Sequence, residues 1–327
     1  MVNPTSPNDM LGPFEKHFGG AGVNVAVAVD GSRISDKAAM TAAAFTNVKR
    51  GDSLSLLHVS DPHKTNLPRN LQPNHLHHYY EDMIGAFRTP STWVCRAKAE
   101  GQSTCEAVTS LADKSKADLL VLGSFGRKGE KIDVLGTVSD YSLREARASL
   151  CIVRSTSSAI DRRAKIVFAS DGSYTAAFAF LYVTQLLRRP ADQVDVVFVT
   201  SGEPSEELSA TADEYRSFMA AHGVPGGVHM WRVEAGTPMP QGITEAARSL
   251  EANVLALGIS GYGRKKLGSV SEVLCTMADV TTIVVKDPTD VVSDRFKRAG
   301  AATLAREVIA VPRNSVEIVR EGPVPVA

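Results

Sequence analysis

The sequence is poor in several features, and each shortage argues against a class of protein. Four cysteines, Cys95, Cys105, Cys151 and Cys275, are scattered through 327 residues with no C-x-x-C pair. That argues against a disulfide-stapled secreted scaffold or a zinc ribbon, and reduced thiols in a cytoplasmic protein are the expectation. No run of about 18 apolar residues occurs, so no membrane-spanning helix is expected. Charge of one sign is not in excess: 36 basic residues face 36 acidic ones, which leaves no net field to gather nucleic acid or an anionic membrane. Residues 1–20 hold Pro, Asn, Asp and Glu where a secretory leader would have an apolar core or a transit peptide its arginines. The chain also lacks a G-x-S-x-G nucleophile elbow, an H-E-x-x-H zinc motif and a G-x-x-x-x-G-K-(S/T) phosphate loop.

What is present is a repeat. The apolar run Val23–Val29 followed by Asp30-Gly31-Ser32 pairs with Lys165–Ser170 followed by Asp171-Gly172-Ser173. Asp52–Val59 parallels Asp192–Val199, and Trp93 and Trp231 fall in equivalent third strands. Ala117–Gly123 matches Ala252–Gly258, Leu135–Asp140 matches Leu267–Glu272, and Ser149–Arg154 matches Thr281–Lys286. Helical spacing lies between these strands, for example over Asp36–Val48, Thr104–Ser115 and Thr137–Ala148, so each copy reads as strands alternating with helices. Alternation of this kind gives a parallel sheet covered on both faces, with a ligand crevice at the carboxyl ends of the strands where strand order reverses. The organisation expected is a tail over 1–20, domains over 21–156 and 163–288, and a second tail over 289–327 in which Arg295–Ala310 has helical character. The last strand of each copy is a sheet edge, and pairing the two within the chain would cover both.

One loop carries chemistry. Gly123-x-x-Gly126 is followed, after nine residues, by Gly136-Thr137, directly after an apolar strand and directly before a helix. Glycines let backbone approach a phosphate closely, and the first turn of a helix offers unpaired N–H groups and a favourable dipole to an anion. Thr137 and Ser139 add hydroxyls, which serve equally well as helix caps. A lone G-x-x-G is common in ligand-free loops. What adds weight is the Gly-Thr at fixed distance and Asp30 at the end of the first strand, beside the same crevice and suited to a ribose hydroxyl or an adenine amine.

These residues resemble the universal stress protein family, over nearly all of 21–154 and 163–287, and the family's G-2x-G-9x-G-(S/T) signature is complete in the first copy. The resemblance implies two doubly wound α/β domains in tandem, each with a five-stranded parallel sheet in the order 3-2-1-4-5, of the adenine nucleotide alpha hydrolase-like kind. It also implies ATP, or AMP or ADP, bound between strands one and four, with Mg²⁺ as a possible companion. By that likeness Asp30 and Val59 hold the adenosine, Gly123, Gly126 and Arg127 wrap the phosphates, and Gly136, Thr137, Val138 and Ser139 close the site, with Ala28, Ser32 and Leu122 completing the set. The corresponding set in the second copy is Asp171, Val199, Gly258, Gly261, Gly268, Ser269, Val270 and Ser271. There only six residues separate Gly261 from Gly268, so the loop is contracted and nucleotide binding is expected first of all in the first domain, although Arg264, Lys265 and Lys266 lie nearby.

Family members commonly pair through the last strand, so the tandem is expected to mimic a homodimer, with further self-association left open. Three functional readings remain: a nucleotide-binding stress or signalling module without turnover or with slow hydrolysis, an ATP-independent scaffold with vestigial sites, or an ATP-using enzyme of the same superfamily. The third has least support, because Val29-Asp-Gly-Ser32 replaces the S-G-G-x-D-S or H-I-G-H elements such enzymes carry. Glu130 and Asp133, among Arg127, Lys128 and Lys131, are either ligands for a triphosphate-bound Mg²⁺ or part of a solvated charged loop, the second being the commoner case. His75, His77 and His78, beside Tyr79 and Tyr80, lie in a stretch from Asp61 to Thr92 that reads as a surface insertion, and a solvated helix start or lid is expected there, with no metal site. Cys105 falls at a helix start, where a thiol's acidity can rise.

Overall fold

The computed structural model describes residues 6–18, 22–64, 66–127, 129, 134–156, 160, 163–259, 268–277 and 279–286. The first repeat runs β1 (Asn24–Ala28), α2 (Arg33–Ala44), β2 (Ser53–Ser60), α3 (Pro73–Gly85), β3 (Thr92–Ala97), α4 (Thr104–Lys114), β4 (Leu119–Gly123), α5 (Thr137–Glu145) and β5 (Ser149–Val153), preceded by α1 (Pro7–Phe18). The second runs β6 (Lys165–Ala169), α6 (Tyr174–Gln185), β7 (Gln193–Thr200), α7 (Glu206–His222), β8 (Val228–Arg232), α8 (Met239–Ser249), β9 (Val254–Ile259), α9 (Ser269–Met277) and β10 (Thr281–Lys286). Among the described residues, no helix is long and apolar enough to cross a membrane. Residues 288–327, including the helical stretch expected over Arg295–Ala310, lie outside the described residues.

Each repeat has the 3-2-1-4-5 order, and the two are joined into one ten-stranded sheet, β3-β2-β1-β4-β5-β10-β9-β6-β7-β8. Every pairing is parallel except the central one, where β10 runs antiparallel to β5 with Ile283 opposite Cys151. Alternate residues of each strand feed two apolar layers, one on each face. Val25, Val27, Leu54 and Leu56 join the layer under α2, α3 and α6, while Ala26, Leu57, Leu120 and Leu122 join the layer under α4, α5 and α8. Burial on both faces explains why these strands are unbroken apolar runs. Helix starts are set locally by serine caps: Ser32, Ser103, Ser173 and Ser205 each accept the backbone N–H three residues on.

One helix is apolar all round. Residues Ala176 to Val183 of α6 are every one buried, a composition that requires cover on the outer side as well as the sheet side. The cover is α1: Met10 and Phe14 are buried, and the Phe14 ring lies 5.5 Å from that of Phe178. Residues expected to form part of a tail are therefore a helix docked on the second repeat.

The repeats are also tied by reciprocal contacts at their last strands. Lys286, at the end of β10, is 3 % exposed and donates through Nζ to the carbonyls of Ser142 (3.2 Å) and Ala146 (2.5 Å) at the end of α5. Its counterpart Arg154 reaches the Cys275 carbonyl in α9. A cation at a helix C-terminus meets the negative end of the dipole and satisfies carbonyls that lack a partner. On the opposite face, Arg188 and Asp52 form an ion pair of 2.9 Å with side chains 4 % and 1 % exposed, and Arg188 Nε donates to the Phe45 carbonyl (3.2 Å).

Burial lowers the Lys286 ammonium from 10.5 to about 7. The unfolded chain then holds a proton between about pH 7 and 10.5 that the folded chain has released. Stability should therefore rise with pH across that window, by up to about 1.4 kcal/mol per unit. Urea unfolding at pH 7, 8 and 9 should show this rise, and Lys286→Met should flatten it. Equal slopes in the two proteins would rule the assignment out.

Candidate functional site

The loop after β4 is shaped by close packing before any ligand is considered. A Cβ on Gly123 would lie 2.8 Å and 2.9 Å from the two γ-carbons of Ile34 in α2, one on Gly126 would lie 2.9 Å from Asp30 Oδ2, and one on Gly136 would lie 2.9 Å from Phe125 Cα. The chain folds back on itself: Gly136 N–H donates to the Ser124 carbonyl (2.7 Å), and Ser139 Oγ donates to the Gly123 carbonyl (2.7 Å). Ser139 is buried and thus holds the loop to the helix, which is a different task from touching a phosphate. The described part of this loop stops at Arg127 and Gly129 and resumes at Val134. Lys128, Glu130, Lys131 and Asp133, and with them the Mg²⁺ alternative, lie outside the described residues.

What the packing leaves open is the start of α5. Gly136 is the N-cap, with extended dihedrals and no side-chain cap, whereas α2, α4, α6 and α7 each have a serine there. Thr137 is exposed and Val138 half-buried. Among the described residues, the first-turn N–H groups of α5 therefore have no side-chain acceptor, which is the arrangement that takes an anion.

Asp30 stands on the other side of the loop. Its Oδ1 accepts Ser32 N–H (3.0 Å) and Ser32 Oγ–H (2.6 Å), and its Oδ2 accepts the Arg127 N–H (3.3 Å) and lies 3.8 Å from Arg127 Nε. Asp30, Ser32, Gly126 and Arg127 are thus brought together. Ala28, Val59 and Val138 are half-buried over the apolar layer of α4 and α5, in which Leu122 is buried.

Sequence reasoning passed over three residues that set this geometry. Ile34 fixes the need for Gly123. His58, buried in β2, bonds through Nδ1 to the Val29 carbonyl (2.9 Å), one residue before Asp30. A carbonyl only accepts, so Nδ1 carries the proton. Burial lowers the His58 pKa, with Arg127 adding to that effect and the Val29 bond and Asp30 opposing it. Tyr80 is fully buried; its hydroxyl accepts the Gly31 N–H (3.2 Å), donates to Asp36 (2.8 Å) and meets Ser35 Oγ at 2.7 Å.

The His-Tyr segment is therefore more than a solvated helix start or lid. Leu76, Tyr80 and Ile84, at helical spacing, anchor α3 in the core against the turn that carries Asp30. The signal was there in that i, i+4 series. His77 stacks on Trp93 at 5.1 Å, His75 accepts from Arg69, and no cluster able to hold a metal occurs among the described residues.

The second repeat has the same frame. Asp171 accepts the Ser173 N–H (3.0 Å), and Gly258 abuts Ala179 and the Thr175 carbonyl of α6, each 2.8 Å from a would-be Cβ. Val199 lies against Gly242 of α8. Gly268, Ser269 and Val270 are at the surface or half-buried and Ser271 is buried, while Gly261, Arg264, Lys265 and Lys266 lie outside the described residues.

A doubly wound α/β tandem, with a glycine loop and an aspartate at the switch point between strands one and four, defines the class. Within it, a sequence model of the universal stress protein family matches residues 24–154 and again 163–286. The chain belongs to the universal stress protein family. Its fold is similar to that of a universal stress protein from Archaeoglobus fulgidus DSM 4304, with a TM-score of 0.59 at 17 % identity over 80 % of this chain and 98 % of that one. It is also similar to a functionally unknown protein from Pseudomonas aeruginosa PAO1, with a TM-score of 0.56 at 16 % identity over 84 % and 96 % of the respective chains. No curated protein matches the sequence.

Two substitutions check the frame. Gly123→Ala should cost about 1–3 kcal/mol, because Ile34 cannot retreat from the core without strain. Tyr80→Phe should cost a similar amount by leaving buried partners unsatisfied. Urea unfolding monitored by circular dichroism measures both, and a Tyr80→Phe protein as stable as the parent would remove Tyr80 from its bracing role.

Proposed function

We propose that this chain is an adenine-nucleotide-binding universal stress protein acting in the cytoplasm, in which the first repeat binds ATP as a regulatory ligand and does not turn it over, or does so only slowly. The observation that carries the reading is the uncapped N-terminus of α5, Gly136-Thr137-Val138, facing the same loop as Asp30 and Arg127. The α5 amides and Arg127 suit phosphate, and Asp30 suits a ribose hydroxyl, over the half-buried Ala28, Val59 and Val138. Absence of turnover is argued from roles: Asp30 is bonded to Ser32 and Arg127, and Ser139 to a backbone carbonyl, which leaves neither poised to activate water. In the second repeat the six-residue spacing between Gly261 and Gly268 shortens the path over the phosphates, so we assign one ATP per chain.

Titration calorimetry of the full chain with MgATP should give one site, weakened about tenfold or more by Asp30→Ala, as expected for losing a charge-assisted hydrogen bond. Phosphate release over hours should stay at the level of the Asp30→Ala protein. No heat and no thermal shift with ATP, ADP or AMP would overturn the reading in favour of an ATP-independent scaffold.

A further inference from the structure

A cleft lies at the amino ends of the strands, away from the Gly123 loop. Its volume is about 610 Å³, within the range of roughly 300–1,000 Å³ typical of small-molecule sites. Three parts of the chain build it: α1, the segments before β1 and β2, and the ends of α6 and α7. Its walls include the apolar side chains of Leu11, Phe14, Leu187, Phe218 and Val224.

The charges around it are unequal in availability. Asp52 is spent: it accepts the N–H groups of Val23 (2.9 Å) and Asn47 (2.7 Å) and pairs with Arg188 at 2.9 Å, its side chain 1 % exposed. Arg188 is likewise buried, which lowers its pKa; Asp52 opposes that effect and Arg50, through like-charge repulsion, adds to it. Arg50 is exposed, is held across the cleft by a weak bond to the Leu187 carbonyl (3.4 Å), and has no carboxylate within salt-bridge distance among the described residues. With Asp52 and Arg188 paired to each other, Arg50 is left as the guanidinium at the cleft without an ion-pair partner among the described residues. Among the described residues, the other ionisable groups on the wall are Glu15, on the exposed side of α1, and His222, exposed and stacked on Phe218 at 4.2 Å.

We propose that this cleft is a second ligand site, taking a small amphipathic anion whose carboxylate or sulfonate head sits on Arg50 and whose apolar body lies along Leu11, Phe14 and Phe218. An apolar wall without the arginine would take a neutral molecule equally well. The guanidinium of Arg50, left without an ion-pair partner among the described residues while Asp52 and Arg188 satisfy each other, is what selects an anion. Because α1, the first repeat and the second repeat all line the cleft, the occupant bridges all three and stabilises α1 in its docked position.

The test uses the full chain and decanoate below its micelle concentration, with decanol and decylamine as neutral and cationic controls. Calorimetry should give one decanoate per chain, with both controls at least tenfold weaker. Arg50→Glu should weaken decanoate at least tenfold, and Leu11→Trp, which places an indole in the cleft, should abolish binding. Circular dichroism melts confirm that each variant is folded. Asp30→Ala should leave decanoate binding unchanged, which separates this site from the nucleotide site. No decanoate binding, equal binding of decanol, or full binding to both cleft variants would overturn the proposal.

Discussion

The antiparallel pairing of β5 with β10 is the constraint on which the other features rest. Every residue of both strands is buried, so neither repeat can end there alone without presenting an apolar, unpaired edge to water. Joining them removes two edges at once and makes ten strands from five and five. It also dictates where the flanking basic side chains go: Lys286 leaves β10 beneath the end of α5, and Arg154 leaves β5 beneath the end of α9. The helix proposed to offer its first turn to a phosphate is therefore held at its other end by the neighbouring repeat. Site and junction are two ends of one nine-residue helix.

The glycine loop illustrates how a motif can have two causes. Gly123 and Gly136 are required by contacts with Ile34 and the Phe125 backbone, Gly126 abuts only the carboxylate end of Asp30, and the second repeat repeats the first of these causes at Gly258. Glycine at these positions thus follows from strand-to-helix packing even without a ligand. What packing does not account for is the missing cap on α5 and the aspartate turned toward Arg127. Those two features, more than the glycines, are what the proposed binding reading rests on.

Much of this was legible in the amino-acid sequence because parallel strands are buried on both faces and read as unbroken apolar runs. The repeat at β1 and β6, the Asp-Gly-Ser turns, and the strand-loop-helix context of Gly123 all follow from local pattern, and the argument from uncovered edges led to the β5–β10 pair. Other features were hidden because they rest on contacts between distant segments. Met10 and Phe14 look like surface-tail residues until the all-round apolar character of α6 demands a cover. Tyr80 was obscured by the histidines around it, and Ser139 looked like a phosphate donor because nothing local shows that its hydroxyl is taken by the Gly123 carbonyl. Asp52 and Arg188 carry no motif at all, since a buried ion pair between repeats leaves no spacing to read.

The docking of α1 on α6 has a consequence in time. During synthesis α1 leaves the ribosome before the first repeat, yet Phe178, the ring partner of Phe14, emerges only after the whole first repeat has been made. At about 5–20 residues per second that is a wait of roughly 8–30 s with Met10 and Phe14 unburied. The first repeat can condense in that interval, but the N-terminal helix can take its place only when the second repeat has formed. Helix α1 is thus made before both repeats and locked in after them, and its docking marks completion of the tandem.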